Sequence, residues 1–218
     1  MASNPGNSAS RGRYADRLDP ELWDYIDEVN SWYPPEITAA PIAEQRAVYD
    51  KMCVAFHQGH PEGVVASDGL VATAAHAIPV RRYHMANNAA AAIVVYYHGG
   101  GFVLGDLDSH DDICAEICVG TGFEVVSVDY RLAPEHLHPA SFDDALAVFE
   151  WIAATSALPI VLCGAFAAQH DRPDADLSRP GRRRDRALLC RARRGAAAHR
   201  RRYRVLSVYP LRAWTVGG

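Results

Sequence analysis

Apolar runs typical of buried strands alternate along the chain with segments that have helical spacing. This succession predicts the fold class. Three short runs have little polar interruption: residues 93–97 (IVVYY), 123–129 (FEVVSVD) and 159–164 (PIVLCG). Such runs are typical of strands that are buried on both faces of a sheet. Between them, residues 111–120 and 141–152 have the composition and spacing of helices, and Ser141 is expected to cap the second helix. Alternating strands and helices of these lengths predict a three-layer α/β fold with a parallel sheet.

The region before the first buried run predicts two helices followed by two strands. Asp19 is expected to cap a helix that begins at Pro20, and Pro41 is expected to open the second helix. Residues 64–83 then predict two strands with a turn at Asp68-Gly69. We expect the helices to form a small cap ahead of the sheet.

Three glycines follow the first buried run and form the sequence His-Gly-Gly-Gly at residues 98–101. Glycine lets the backbone turn sharply and brings N–H groups close to a ligand atom. A glycine-rich turn without a function would explain the three glycines alone. His98 before them and the aromatic Phe102 after them favour an oxyanion-hole loop, in which N–H groups stabilise the charge that develops on a carbonyl oxygen.

Four motifs extend this observation: HGGGF at 98–102, GDLDSHD at 105–111, DYRLAPEH at 129–136 and Pro139-Ala140. In this order they resemble the hormone-sensitive-lipase-like esterases, which are α/β-hydrolases, over about residues 60–164. The resemblance implies the hydrolysis of a small-molecule ester by acyl transfer through a serine. It also implies oxyanion donors at Gly100, Gly101 and Ala167 and loop support from His98 and Gly99. From the residues themselves, we expect Arg131 and Glu135 to form a structural pair that braces the loop and not to be catalytic groups.

The resemblance also requires a G-x-S-x-G nucleophile elbow directly after the strand that ends at Gly164. The sequence at 164–168 is GAFAA, so Phe166 occupies the expected nucleophile position and cannot attack a carbonyl. No G-x-S-x-G occurs anywhere in the chain. In the family the triad Asp and His follow later, and we expect the chain to be truncated before them. We therefore expect no intact catalytic residue and little or no activity.

The charge distribution changes abruptly near residue 165. Residues 172–218 carry 14 Arg and 3 Asp, whereas residues 1–171 carry 8 Lys and Arg against 23 Asp and Glu. This change predicts an aberrant segment between two family-like parts. The expected organisation is a disordered lead-in (1–19), N-terminal cap helices (20–60), an α/β-hydrolase core (61–164), an Arg-rich insert (165–203) and the remnant of a core strand (204–218).

Two alternatives to an esterase stay open at this point. The first is a non-catalytic protein that binds an acyl or ester ligand beside the glycine loop. The second is a basic tail that binds nucleic acid through Arg182–Arg184 and Arg200–Arg202. The only nearby aromatic residue is Tyr203, and no motif frames these arginines, so nucleic acid is the weaker alternative.

The remaining sequence features narrow the expected cofactors and the expected location. Five cysteines are odd in number and scattered, and Cys114 and Cys118 have no further ligand at metal-binding spacing. We expect free thiols, no metal site and no cofactor. The sequence shows neither an apolar membrane segment nor a secretory leader, so we expect a cytoplasmic protein without membrane association. The oligomeric state is not predicted.

The Arg-rich segment leads to a prediction at the level of the gene. A segment dominated by Arg, Ala, Pro and Gly without lysine is what off-frame translation of a GC-rich gene would produce. We expect one of the other two reading frames across codons 165–203 to encode Gly-Asp-Ser-Ala-Gly or a close variant. Sequencing of the gene checks this directly, and the hypothesis is wrong if neither frame encodes such an elbow.

Overall fold

The structure is a computed structural model that describes residues 18–165 and the backbone of residues 203–205. The N-terminal part is helical, as the sequence predicts, with α1 (Pro20–Ser31), a short 3-10 helix (Ile37–Ala39) and α2 (Ile42–Phe56). The Asp19 carboxylate accepts a hydrogen bond from the N–H of Glu21 at 3.0 Å, which confirms the predicted cap. The placement of these helices as a cap over a site stays a prediction.

Among the described residues, six strands form one mixed sheet, in the spatial order β1-β2-β4-β3-β5-β6. Strands β4, β3, β5 and β6 are parallel, whereas β1 and β2 form an antiparallel pair and β2 runs antiparallel to β4. The parallel strands confirm the α/β prediction, and the antiparallel pair makes the sheet mixed. The strand bounds are β1 (Val64–Ala72), β2 (Ala77–Met85), β3 (Ile93–Tyr97), β4 (Glu124–Val128), β5 (Ile160–Gly164) and β6 (Tyr203–Val205).

Two helices complete the described layers, α3 (Asp111–Thr121) after β3 and α4 (Ala140–Thr155) after β4. Neighbouring residues of β3 belong to different core clusters because side chains alternate between the faces of a strand. Val94 packs in a cluster with Cys114 of α3, whereas Val95 packs in a cluster with Val148 of α4. Each helix therefore has its own cluster on the sheet, which gives the three layers.

The turn predicted at Asp68-Gly69 is wrong. Asp68 and Gly69 do not form a turn but lie inside β1, opposite Arg81 and Val80 of β2. The Asp68 carboxylate accepts two hydrogen bonds from the Arg81 guanidinium across the strands, at 2.6 and 3.1 Å. This ion pair forms because both residues lie in extended, paired strands. The chain reverses instead at residues 73–76, between the two strands.

The predicted N-cap of α4 is also wrong. The helix begins at Ala140, Pro139 is the residue before it, and Ser141 lies inside its first turn. No side chain caps this end. The sequence suggested Ser141 because serine is a preferred cap.

Few of the predictions for the C-terminal part of the chain concern residues that the structure describes. Phe166, Ala167 and most of the Arg-rich segment lie outside the described residues, so its predicted aberrant structure stays a prediction. Tyr203–Val205 pairs in parallel with Ile160–Leu162 of β5, slightly before the strand expected from residue 204 onward. Among residues 18–165, Cys114, Cys118 and Cys163 are free thiols. Within the part of the chain that is described, no helix is long and apolar enough to cross a membrane.

The core of the fold predicts a stability contrast between two isoleucines on helices. Ile152 on α4 is 2% exposed, and Ile113 on α3 is 42% exposed. We expect Ile152→Ala to lower the free energy of unfolding by about 2–5 kcal/mol, because it leaves a cavity against the sheet. The matched control Ile113→Ala removes the same atoms from a surface position and should cost less than about 1 kcal/mol. Urea denaturation of both variants checks this, and equal losses would contradict the assigned core.

Candidate functional site

The glycine loop after β3 turns back on itself through backbone conformations that favour glycine. Gly100 has φ +111° and Gly101 has φ +63°. A β-carbon on Gly100 would lie 2.0 Å from the carbonyl oxygen of Leu104, so no other residue fits there without moving the backbone. The carbonyl of Gly100 accepts hydrogen bonds from the N–H groups of Val103 and Leu104 at 3.1 and 2.9 Å. These contacts fold residues 100–104 into a tight turn.

The turn uses the carbonyl of Gly100 but leaves N–H groups of the loop available. Within the described residues, neither Gly100 nor Gly101 donates a backbone hydrogen bond. Gly100 is half-buried and Gly101 is exposed. The oxyanion-donor role predicted for both residues stays a prediction.

His98 is buried beneath the loop and is held by its neighbours. Its ring stacks on Tyr130 with 4.1 Å between ring centroids and an interplanar angle of 6°. The Tyr130 hydroxyl donates a 2.6 Å hydrogen bond to the carbonyl of His98, and His98 Nδ1 donates to the carbonyl of Gly99 at 2.8 Å. Burial lowers the pKa of His98, so the ring is neutral near pH 7. The loop-supporting role expected for His98 stays a prediction.

His110 holds the other side of the loop and was missed by the sequence analysis. The N–H of Gly99 donates to His110 Nε2 at 3.2 Å, so the ring carries its proton on Nδ1, next to the Ser109 hydroxyl at 3.1 Å. Burial and the neighbouring His98 lower the pKa of His110 to about 4. The histidine lies in the motif GDLDSHD, which was noted only as a resemblance. Two neutral imidazoles therefore hold the loop.

The end of β5 lies directly beside the loop. The N–H of Ala165 donates to the carbonyl of Tyr97 at 3.1 Å. A β-carbon on Gly99 would lie 3.4 Å from Ala165, so the first residue after β5 is in van der Waals range of the loop. Phe166 and Ala167, at the expected nucleophile and third donor positions, lie outside the described residues.

Arg131 is anchored to helix α4 through Asp144. Its guanidinium donates two hydrogen bonds to the Asp144 carboxylate, both at 2.9 Å, and its backbone N–H donates a third. His76 reaches the same carboxylate at 2.7 Å. Burial would raise the pKa of Asp144, but hydrogen bonds from Arg131 and His76 hold it below its ordinary value. The predicted pairing of Arg131 with exposed Glu135 stays a prediction.

A backbone contact joins the Arg131 segment to the glycine loop. The N–H of Ala133 donates to the carbonyl of Phe102 at 2.9 Å. Phe102 itself has φ +67°, a conformation that side-chain-bearing residues rarely adopt. The salt bridge at Asp144 therefore fixes a segment that in turn holds the end of the loop.

Comparisons with known proteins support the α/β-hydrolase fold. A family model described as the alpha/beta hydrolase fold matches residues 94–176. The chain is 42% identical over 110 residues to the carboxylic ester hydrolase LipN of Mycobacterium tuberculosis, which is 50% of this chain and 29% of that protein. The structure of an α/β-hydrolase enzyme from the metagenome of Lake Arreo superposes with a TM-score of 0.60 at 34% identity, over 67% of this chain and 50% of that one.

A second solved structure with a similar fold comes from a more narrowly defined family. An esterase of the bacterial hormone-sensitive lipase family superposes with a TM-score of 0.58 at 25% identity, over 67% of this chain and 48% of that one. The chain has the α/β-hydrolase fold and is similar to hormone-sensitive-lipase-like esterases over part of its length. It spans about half the length of these solved relatives and less than a third of the length of LipN.

A separate polar cluster lies near the start of α3. The sequence analysis did not predict this cluster. His57 and His60 both contact the Asp111 carboxylate, which also accepts hydrogen bonds from Arg81 and Tyr83. The two histidines are three residues apart, a spacing that is visible in the sequence. Their partner is 51 positions beyond His60, so only the fold shows that the three side chains meet.

The loop geometry predicts an order of stability for three glycine variants. Gly100→Ala should lower the free energy of unfolding by about 2–4 kcal/mol, because its β-carbon meets the backbone of Leu104. Gly101→Ala meets open space but keeps a positive φ, so we expect a loss of about 1 kcal/mol. Gly120→Ala, inside α3 and also in open space, should stabilise by about 0.5–1 kcal/mol. Urea titrations rank the three, and equal effects of the loop variants would contradict the tight turn.

Asp129, at the end of β4, predicts a dependence of stability on pH. Burial, together with Asp106 and Asp108, raises its pKa from 3.8 to about 6. The folded chain therefore binds a proton here that the unfolded chain has already released, so this contribution to stability is present below about pH 4 and is lost as the pH rises through about 6. We expect Asp129→Asn to be more stable than the wild type at pH 7, on the order of 1 kcal/mol after solvent screening, and to match it near pH 4.

The matched control for this effect is Glu116→Gln, which removes one negative charge from an exposed position on α3. Urea denaturation between pH 4 and 7 measures all three proteins. A constant difference between Asp129→Asn and the wild type across this range would contradict the raised pKa, as would the same pH dependence in Glu116→Gln.

Proposed function

We propose that this chain carries the oxyanion-stabilising part of a carboxylic ester hydrolase, with little or no turnover of its own. The observation that carries the proposal is the glycine loop, in which neither Gly100 nor Gly101 donates a backbone hydrogen bond within the described residues. The similarity to LipN, a carboxylic ester hydrolase, supports an ester as the ligand.

The chemistry that the loop serves is acyl transfer. A serine would attack the ester carbonyl, and the negative charge on its oxygen would be stabilised by the N–H groups of Gly100 and Gly101, with Ala167 as the proposed third donor. The alcohol would leave, and water would then release the carboxylic acid. His98, Gly99 and His110 keep the loop in shape and do not act as the base, because both rings are buried and engaged by the backbone.

The expected loss of activity follows from the residue at the nucleophile position. Phe166 has no group that can attack a carbonyl. Loss of the serine from a hydrolase triad costs on the order of 10⁶ in kcat, and the other triad members add little once it is gone. An oxyanion hole with substrate binding alone retains at most roughly 10³–10⁴ over the rate in water, and this residual rate requires the loop to be held as it is in an intact site. Binding of an ester or acyl ligand beside Gly100 and Gly101 is therefore the activity that this chain can retain.

Hydrolysis of p-nitrophenyl acetate and p-nitrophenyl butyrate tests the proposal. We expect no release of p-nitrophenol above that from a heat-treated sample of the same protein. The control variant is Gly101→Ala, which alters a proposed donor position and, on this account, leaves the same background rate. Turnover above the heat-treated control that is lost in Gly101→Ala would contradict the absence of a nucleophile while supporting the loop as the site.

A further inference from the structure

His57, His60 and Asp111 form a compact cluster at the amino end of α3, separate from the glycine loop in its chemistry. His57 Nε2 lies 2.9 Å from Asp111 Oδ2, and His60 Nε2 contacts the same oxygen. One ligand atom from each of the three residues lies within 4.8 Å of the others. Two imidazole nitrogens and one carboxylate oxygen thus converge on one point.

The carboxylate is held in place by groups on its other oxygen. Tyr83 donates a 2.7 Å hydrogen bond to Asp111 Oδ1, and Arg81 donates to the same atom at 2.9 Å. Tyr83 is fully buried, so this contact is fixed by the core of the sheet. Oδ2 is thereby directed to the two histidines. Outer hydrogen bonds of this kind orient the carboxylate ligands of metal ions in proteins.

The local charge favours a cation. The Arg81 guanidinium is shared among the carboxylates of Asp68, Asp108 and Asp111, so one positive charge faces three negative charges. The histidine side chains are 31% and 30% exposed, whereas that of Asp111 is 10% exposed. An ion can therefore reach the cluster from solvent and meet a carboxylate that is largely shielded from water.

We propose that His57, His60 and Asp111 bind a divalent transition-metal ion of the zinc class. Imidazole and carboxylate donors together suit Zn²⁺, Co²⁺ or Ni²⁺, whereas Mg²⁺ and Ca²⁺ prefer sets made only of oxygen. Ligand bonds of about 2.0–2.2 Å fit between three donor atoms that are already this close. Three protein ligands leave a fourth position for water.

Binding requires a change in the proton position on both histidines, because the Nε2 atoms of His60 and His57 each donate to the Asp111 carboxylate, which can only accept. In His57 this change also breaks a second contact. Its Nδ1 now accepts a 3.0 Å hydrogen bond from the N–H of Gly59, which places the ring proton on Nε2. An ion needs the lone pair of Nε2, so the proton moves to Nδ1 and the hydrogen bond from Gly59 is given up. Gly59 is exposed, and water replaces the lost acceptor.

The bound ion joins two parts of the chain that are distant in sequence. His57 follows directly after α2, and Asp111 is the first residue of α3. An ion that binds the folded chain and not the unfolded one raises stability in proportion to the logarithm of its concentration over Kd. The expected role is structural, since a cross-link at this point stabilises the packing of the 57–60 segment on the sheet.

Titration of the full-length, chelator-treated protein with Co²⁺ tests the site. We expect one ion per chain, visible d–d absorption typical of nitrogen and oxygen ligands without a thiolate charge-transfer band, and a rise in Tm with added Zn²⁺. The variants His57→Gln and His60→Gln should each weaken Kd by about 10-fold or more. The matched control is His84→Gln, an exposed histidine on β2, which should bind like the wild type.

The competing explanation is a purely hydrogen-bonded cluster, and the same experiment excludes or establishes it. Equal binding by the wild type and both cluster variants, or a thiolate band, would place the ion elsewhere and overturn the proposal, as would no binding by a folded wild type. Circular dichroism confirms that each variant is folded. The ester assay does not enter this test, so its failure and that of the proposed hydrolase function are independent.

Discussion

The glycine loop depends on the close approach of backbone to backbone at the carboxyl end of β3. The β-carbon of any other residue at position 100 would overlap the carbonyl of Leu104. A second close approach occurs at Gly105, where a β-carbon would lie 2.5 Å from His98 Nδ1. Because two glycines remove the side chains, the carbonyls can turn inward and form the turn. The N–H groups of Gly100 and Gly101 are then left for a ligand.

The two imidazole rings that contact the glycine loop hold its shape without carrying a charge. His98 and His110 are both buried, and burial lowers the pKa of each. A protonated imidazole beside Gly99 N–H would lose its acceptor nitrogen and break the 3.2 Å hydrogen bond. Neutral rings therefore hold the backbone, while the stronger ion pair of Arg131 with Asp144 lies one segment away and fixes the end of the loop through Phe102.

Much of the fold was accessible from the sequence because buried parallel strands have a distinctive composition. The runs at 93–97 and 159–164 contain almost no polar residue, and both form strands of the sheet. The turn predicted at Asp68-Gly69 was wrong because local turn propensity ignores the partner strand, where Arg81 binds Asp68. Local patterns predict an element well when its own burial determines it, and poorly when a cross-strand partner does.

Some residues of the site could be found from the sequence, and others could not. The glycine loop and Arg131 were found because a short contiguous motif contains them, whereas the partner of Arg131, Asp144, lies 13 residues further on. His110 supports the loop from a position 11 residues after Gly99, and the cluster of His57, His60 and Asp111 joins residues that are more than 50 positions apart. Sequence spacing carries no signal for such contacts, because the folding of α3 against the sheet creates them.

The central claim is that the N–H groups of Gly100 and Gly101 form an anion-binding site in this chain. The most direct measurement is a nuclear magnetic resonance titration of the amide signals with butyrate at constant ionic strength, since a carboxylate oxygen stands in for the oxyanion. The account predicts saturable shifts at Gly100 and Gly101, and none at Gly120, a glycine in α3. Unchanged signals at both loop glycines at saturating butyrate, or equal shifts at Gly120, would contradict it.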